Sequence, residues 1–359
     1  MAGGKLDTAK KQKVDEFYTQ LSDIEKKLKH YRKHFKNKVV FCNCDDPEYS
    51  NFYYYFVSNF EELSLKKLIT THFAIDKPSY MLEYEGGANV QGDKDTVIKR
   101  AIKLGKKKPL KQNFQQGIQG ELFDTEPVRS YSGDFRSPEC IELLKQSDIV
   151  VTNPPFSLFQ EYVIQLIKYS KNFIIIGNTN ALTYKEIFRL FKENKLSTGI
   201  TNFNVGMYFF VPDNWEKYHK MEDGKKLVRN SNSCWFTNLD HAKRHEELIL
   251  YKNYSKKEYQ KYDNYNAIEV STYKDIPIDY PGQMGVPITF VDKYNPDQFD
   301  IIGLAADKRD EDEVFIKGKP TYLDEGHKQF VGMVLNGKAT YARILIKHKK
   351  STKGKTNEN

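Results

Sequence analysis

Cysteine is scarce, with four residues in a chain of 359 (Cys42, Cys44, Cys140 and Cys234). None forms a C-x-x-C pair and none has a histidine nearby at zinc-ligand spacing, which argues against a zinc ribbon or finger and against a disulfide-stapled scaffold. Cys42 and Cys44 have the spacing of two residues on one face of a strand, where sulfur acts as a small core group. All four are expected as reduced thiols. Long apolar runs are also missing: no stretch approaches the ~20 residues that a membrane-spanning helix needs. The opening Met1-Ala2-Gly3-Gly4-Lys5 lacks the apolar core of a signal peptide. These absences lead to the expectation of a cytoplasmic protein with no metal site and no membrane partner.

What is present is length, basic charge and aromatic rings. A chain of this length buries a sizeable core and is expected to form two domains. Lys and Arg number 56 against 48 Asp and Glu, a formal charge of +8 that suits a polyanionic partner without requiring one. Aromatic residues make up 14%, from 24 Tyr and 23 Phe. They interleave with lysines between Tyr251 and Tyr265, a pattern that serves either base stacking with phosphate contact or ordinary packing.

The hydrophobic pattern alternates strand and helix. Residues 1–13 read as a mobile, lysine-rich tail. Helical spacing runs from Asp23 to Phe35, with Ile24, Leu28 and Tyr31 on one face. Val39 to Cys44 reads as a strand, Ser50 to Phe60 as an aromatic helix and Lys67 to Phe73 as a second strand. Residues 74–130 interrupt the rhythm as an insertion, whose Lys106-Lys107-Lys108 run is either a solvated face or a DNA-backbone contact. It resumes with a helix at Pro138 to Lys145, a strand at Ile149 to Thr152, a helix at Phe159 to Tyr169, a strand at Phe173 to Ile176 and a helix at Tyr184 to Lys192. This order predicts a parallel α/β sheet over 14–195. Residues 196–320 have the texture of a second, irregular domain. The region 321–347 ends in a strand at Ala342 to Lys347, and 348–359 is a disordered tail.

The most informative segment is Asp148-Ile-Val-Val-Thr-Asn-Pro-Pro-Phe-Ser157. A buried strand ends in a turn stiffened by two prolines, whose rings fix φ and remove two N–H groups. The Asn153 side chain adds a carbonyl acceptor. A primary amine could donate one hydrogen to Asn153 and one to the Pro154 carbonyl, while its ring stacks on Phe156. Such a site suits an aminated heterocycle such as adenine. The competing reading is an ordinary strand-to-loop turn.

Three other segments share its chain. Asp15-Glu16-Phe17-Tyr18-Thr19-Gln20 precedes the first helix. Cys44-Asp45-Asp46-Pro47 sits at the carboxyl end of the first strand, where doubly wound sheets bind ligands. Gly133-Asp134-Phe135 precedes the strand leading to Asn153. Each alone reads equally well as a turn or helix cap. In this order they resemble the amino-methyltransferases that modify adenine in DNA. The runs Phe41-Cys-Asn-Cys-Asp-Asp-Pro47, Gly133-Asp-Phe-Arg136, Asn153-Pro-Pro-Phe-Ser-Leu-Phe159 and Met284-Gly-Val-Pro-Ile-Thr-Phe290 resemble, more closely, the EcoRI-type adenine-specific methyltransferases. The likeness extends from about residue 12 to Lys347 and is weakest at 74–130 and 215–260.

The resemblance implies a Rossmann-like class I methyltransferase sheet with helices on both faces, plus a smaller irregular DNA-recognition domain. It implies S-adenosylmethionine as cofactor and double-stranded DNA as partner, a cognate restriction endonuclease acting separately, and a monomer. By the same likeness Phe17, Tyr18 and Thr19 close over the methionine part of the cofactor, and Asp45, Asp46 and Pro47 contact its amino and carboxylate groups. Asp134 and Phe135 lie beside its adenine ring, and Asn153, Pro154, Pro155 and Phe156 form the catalytic motif. Arg229, Asn230, Asn232 and Arg244 are candidate base readers, being residue types that read guanine and adenine edges. Two departures stand out. No glycine-rich turn follows Pro47, and the second strand ends in Thr70-Thr71-His72 without an acidic residue for ribose. RNA adenine or protein glutamine as substrate, and a non-catalytic DNA-binding protein of the same fold, remain as alternatives.

Overall fold

Short runs of β-branched and aromatic residues make the strands, and each ends where polar residues begin. The computed structural model describes residues 18–72, 79–110, 133–201, 203–211, 213, 215–308, 312–323 and 329–349. The chain divides into two compact units, Met1–Thr179 with Gly199–Leu239, and Asn180–Thr198 with Asp240–Asn359. Residues 199–239, which the sequence pattern groups with the irregular region, thus belong with the first unit.

In chain order the first strands are β1 (Tyr18–Thr19), β2 (Val39–Cys42), β3 (Lys67–His72), β4 (Tyr80–Tyr84), β5 (Lys106–Pro109), β6 (Ile149–Thr152) and β7 (Asn172–Asn178). β2 runs parallel to β3 on one side and to β6 on the other, and β6 is parallel to β7. Antiparallel β4 and β5 extend the sheet beyond β3, and the strand Ser233–Thr237 closes on β7, also antiparallel. β2 and β6 are buried along their whole length, as flanked parallel strands are. The chain leaves β2 toward β3 and returns on its opposite side as β6. A reversal of this kind marks the crevice position where doubly wound sheets bind ligands, here the carboxyl ends of β2 and β6.

Helix starts follow from capping. The Ser50 hydroxyl accepts the Phe52 and Tyr53 N–H groups at 3.0 and 3.2 Å and begins the helix Asn51–Ser58. Ser137 does the same for Pro138–Gln146 through Cys140 N–H at 3.3 Å. The helical spacing over Asp23–Phe35 yields an α-helix only at Leu21–Leu28, and Lys29–His34 tightens into 3-10 geometry. Cationic side chains recur there at three- and four-residue spacing, and their repulsion weakens an α-helix. The strand expected to reach Cys44 stops at Cys42, because the Cys44 N–H turns to the Thr152 hydroxyl at 3.2 Å. The two sulfurs therefore do not share a strand face.

The part of 74–130 that is described adds to the sheet. β4, the helix Lys94–Leu104 and β5 form its outer edge. The lysine run lies on β5: Lys106 meets Glu85 at 3.5 Å, Lys108 meets Glu83 at 3.7 Å, and Lys107 stands 3.7 Å over the Tyr80 ring. A second, small sheet orders β1, Met207–Phe210, Lys225–Asn230 and Lys220–Glu222. Its last two strands form a hairpin turning at Asp223-Gly224, whose φ angles of +49° and +73° suit a two-residue turn.

The second unit holds a sheet ordered Ala267–Glu269, Gln283–Pro287, Arg343–His348 and Phe299–Ala305. The last strand of the chain, expected at Ala342 to Lys347, is thus an interior one. Met284, Val286, Phe290, Phe299, Ile344 and Ile346 are fully buried in this unit. Among the described residues no helix is long and apolar enough to cross a membrane, and no group of His, Cys, Asp or Glu could hold a metal ion. The four cysteines are free thiols.

Gly177 on β7 lies under the Phe159 ring, where an added Cβ would come within 2.3 Å of a ring carbon. Gly177→Ala is expected to destabilise the chain by about 1–3 kcal/mol through overpacking, read as a lower denaturation midpoint in urea.

Candidate active site

Asp45 follows β2 and Asn153 follows β6, and the parallel register (Phe41 opposite Val150) brings the two segments to one end of the sheet. The buried Thr152 hydroxyl ties them together: it accepts the Cys44 N–H at 3.2 Å and donates to Asp45 Oδ2 at 2.5 Å. Asp45 keeps part of its surface exposed, yet its carboxyl is enclosed enough for burial to push its pKa up to about 7. The Thr152 and Ser50 hydroxyls and the Asn153 N–H pull the other way, toward the ionised form.

The turn after Asp45 does without glycine. Asp46 Oδ1 accepts the Glu48 N–H at 2.9 Å, and the Asp46 carbonyl accepts Tyr49 and Ser50 N–H groups at 3.0 and 2.7 Å. With φ of Pro47 fixed by its ring, this side-chain turn replaces the positive-φ residue a glycine would supply. At the end of β3 the Thr71 hydroxyl donates to the Asn43 carbonyl at 3.0 Å. A carboxylate nonetheless stands nearby: Glu48 accepts the Tyr80 hydroxyl at 3.4 Å, and Tyr80 pairs with His72 across the strands.

Tyr162 connects the floor of the crevice to the Gly133-Asp134-Phe135 segment. Its hydroxyl donates to the side-chain oxygen of buried Asn43, and the Phe135 ring meets its ring edge-on at 5.0 Å. The Asn43 amide nitrogen is buried and has no hydrogen-bond partner among the described residues. Gly133 takes φ +88°, after which Asp134 is held by Arg136. Asp134 Oδ1 accepts Arg136 Nε at 2.9 Å and Oδ2 accepts Nη2 at 2.8 Å, while the Arg136 backbone N–H adds a third bond at 2.9 Å. Arg136 also reaches Glu161 at 3.3 Å.

In the Asn153–Phe156 turn, Asn153 is half-buried and Pro154 buried. The Pro155 carbonyl accepts the Leu158 N–H at 3.0 Å, which opens the short 3-10 turn Phe156–Leu158. Among the described residues no backbone N–H donates to the Pro154 carbonyl. Phe156 packs edge-on against Phe209, with ring centroids 6.3 Å apart. Phe209 pairs with Thr19 of β1, so the small sheet carries the Tyr18–Thr19 segment beside the turn. The Thr19 carbonyl accepts Asn51 Nδ2 at 2.6 Å. Tyr18 stands 6.5 Å from the Tyr49 ring.

The structure therefore brings together Tyr18, Thr19, Asp45, Asp46, Pro47, Asp134, Phe135 and Asn153–Phe156, all in the first unit. Phe17 lies outside the described residues. The candidate base readers divide between the units. Arg229 is on the hairpin strand Lys225–Asn230 and donates to the Val205 carbonyl at 3.0 Å, and Asn230 Oδ1 accepts the Asn232 N–H at 3.1 Å. Arg244 belongs to the second unit, where it donates to the Asn194 carbonyl at 2.8 Å. Sequence reasoning missed Asn43, Asn51, Lys94, Tyr162 and the roles of Thr152 and Arg136. Asn43, Thr152 and Arg136 lay inside motifs that had drawn attention, whereas Asn51, Lys94 and Tyr162 did not.

Comparison with known proteins agrees over nearly the whole chain. The family model described as adenine-specific methyltransferase EcoRI matches residues 5–349. The Type II methyltransferase M.EcoRI of Escherichia coli is 45% identical over 356 residues, covering 97% of each chain. M.MgeORF184P of Mycoplasma genitalium is 37% identical, covering 95% of this chain and 98% of its own. M.MpnI of Mycoplasma pneumoniae is also 37% identical, covering 96% of this chain and 98% of its own. No solved structure matches. On these likenesses, and with the crevice assembled as described, the chain belongs to the EcoRI family of adenine-specific methyltransferases and is an enzyme of that kind.

Proposed function

We propose that this enzyme transfers a methyl group from S-adenosylmethionine to N6 of an adenine flipped out of duplex DNA. It would act as the modification enzyme of a restriction system, alone as a monomer, with a cognate endonuclease working separately on the same site. The observation that carries the reading is the Thr152 hydroxyl bridge, which holds the acidic segment 45–46 beside the Asn153-Pro154-Pro155-Phe156 turn. The sheet topology is compatible with a class I methyltransferase.

The donor set suits that cofactor. Asp45 and Asp46 offer carboxylates for its amino group, Tyr18 and Thr19 a cover for its methionine end, and Phe135 an aromatic neighbour for its adenine. The unmet Asn43 amide adds a donor at the end of β2. Glu48, beside Tyr80, stands in for the missing acidic residue at the ribose. When bound, S-adenosylmethionine supplies a methyl group made electrophilic by its sulfonium charge.

The chain's own residues prepare the nucleophile. The adenine N6 lone pair is delocalised into its ring, and attack requires it to localise. Asn153 and the Pro154 carbonyl each accept one N6 hydrogen, favouring a pyramidal nitrogen, while Phe156 stacks on the base. The work is positioning and electrostatics rather than strong base chemistry. The surplus proton leaves to water after transfer. A base inside a duplex cannot reach this turn, which makes flipping necessary. Recognition falls to Arg229, Asn230 and Asn232 near the hairpin and to Arg244.

Labelled methyl transfer to duplex DNA, RNA and protein tests the substrate: label in DNA adenine is expected, and label confined to RNA or to glutamine would reassign it. Asn153→Ala should lower turnover by roughly a hundredfold or more while leaving cofactor affinity within about threefold of the parent, measured by calorimetry. Asp45 gives a pH dependence of definite sign. Its raised pKa leaves it neutral below about 7, and an ionised carboxylate is needed to hold the cofactor's ammonium. Affinity should therefore fall as the pH drops through about 7 and be roughly tenfold weaker at pH 6 than at pH 8, a dependence that Asp45→Asn should remove.

A further inference from the structure

Lys94 comes from the segment that the sequence pattern reads as an insertion, yet its ammonium reaches Asn51 and the Tyr49 turn beside β1. It donates to Asn51 Oδ1 at 2.5 Å and to the Tyr49 carbonyl at 3.2 Å. Asn51 is 9% exposed, and its other amide atom, Nδ2, holds the Thr19 carbonyl at 2.6 Å. These bonds form a chain from the helix Lys94–Leu104, through the first residue of the helix Asn51–Ser58, to β1.

The chemistry of the three groups fixes the order of the chain. An ammonium only donates, so it must face the amide oxygen; a carbonyl only accepts, so it must face the amide nitrogen. With Lys94 in place the Asn51 amide has one satisfied orientation. Without it the amide can turn over, setting its oxygen against the Thr19 carbonyl. Lysine is also an unfavourable residue in the first turn of a helix, where the backbone dipole repels cations. Asp93 caps that helix through the Thr96 N–H at 2.9 Å, and Asp95 follows in its first turn. Burial, with the opposing charge of Lys225 on the hairpin of the small sheet, lowers the Lys94 pKa to about 8, against a smaller upward pull from Asp95. The lysine thus stands there against both the helix dipole and a like charge, held by the two oxygens it bridges.

We propose that Lys94 is a positioning residue of the cofactor site: by orienting the Asn51 amide it docks Tyr18–Thr19 and the Tyr49 turn around the methionine end of S-adenosylmethionine. The inference rests on the reading of that segment as the cofactor's cover. It assigns Lys94 no contact with the reacting atoms.

The test is calorimetric titration of S-adenosylmethionine into the full chain and into Lys94→Met, Lys94→Arg and Asn51→Asp, with steady-state kinetics on duplex DNA. Lys94→Met should weaken cofactor binding by roughly tenfold, the worth of one charge-assisted bond. KM for the cofactor should rise with it while kcat at saturation stays within about twofold. Lys94→Arg, which keeps a cationic donor, should recover most of the affinity. Asn51→Asp keeps the pairing with Lys94 but sets an acceptor against the Thr19 carbonyl, so it should reproduce the loss and decides the matter if Lys94→Met does not fold. Parental affinity in Lys94→Met, or in Asn51→Asp, would overturn the inference while leaving the cofactor site standing. A parent chain that binds no S-adenosylmethionine would overturn both.

Discussion

One hydroxyl ties the segment after β2 to the end of β6. Thr152 is the last residue of β6, and its Oγ1 both accepts from Cys44 beyond β2 and donates to Asp45. Parallel pairing alone would bring the strand ends near each other, but it does not orient the loops that leave them. The Thr152 bridge does so by taking the Cys44 N–H out of the ladder, ending β2 at Cys42 and turning Asp45 toward the loop of Asn153. A carboxyl enclosed this far prefers to be neutral, and three donors converge on it to favour its charge. Such a group is poised to respond to a cation arriving in the crevice, as perturbed carboxyls at functional sites do.

Around that bridge, polar side chains substitute for features that other sheets of this topology obtain from glycine. The Asp46 side chain closes the turn that glycine would otherwise open. Arg136 immobilises Asp134 with two parallel bonds, and Tyr162 spans Phe135 and Asn43. On the other side, the small sheet sets Phe209 against Phe156 and pairs it with Thr19. The arrangement places Tyr18–Thr19, the Asp45–Pro47 turn and the Asn153–Phe156 turn within one compact unit.

Much of this was legible in the sequence, for physical reasons. β6 is a four-residue apolar run bounded by Asp148 and Asn153, and such a run fits a flanked parallel strand, so Ile149–Thr152 falls where the pattern puts it. The helices expected from Ser50 and from Pro138 likewise start there, behind their Ser50 and Ser137 caps. The Asp45–Pro47 and Asn153–Phe156 motifs follow the parallel strands β2 and β6, and strand ends are what topology juxtaposes. What sequence did not disclose depends on tertiary partners. Nothing in Lys94 itself says that it reaches Asn51, and nothing in Asn43 says that Thr71 and Tyr162 meet it. Local charge repulsion explains why the helix beginning at Leu21 tightens after Leu28, and the Thr152 bond explains why β2 is shorter than its pattern. The lysine run at 106–108, expected as a solvated face or a DNA-backbone contact, is an exposed edge strand on which Glu85 meets Lys106, Glu83 meets Lys108 and the Tyr80 ring meets Lys107.

Methylation of adenine in duplex DNA is the function proposed for the assembled turn. Single-molecule sequencing of DNA from cells expressing this chain, read for N6-methyladenine beside an Asn153→Ala control, tests it most directly. The account predicts methylated adenines within one short recurring motif, absent from the control. Abundant folded protein with no new adenine modification, or the same modification in both samples, would contradict it.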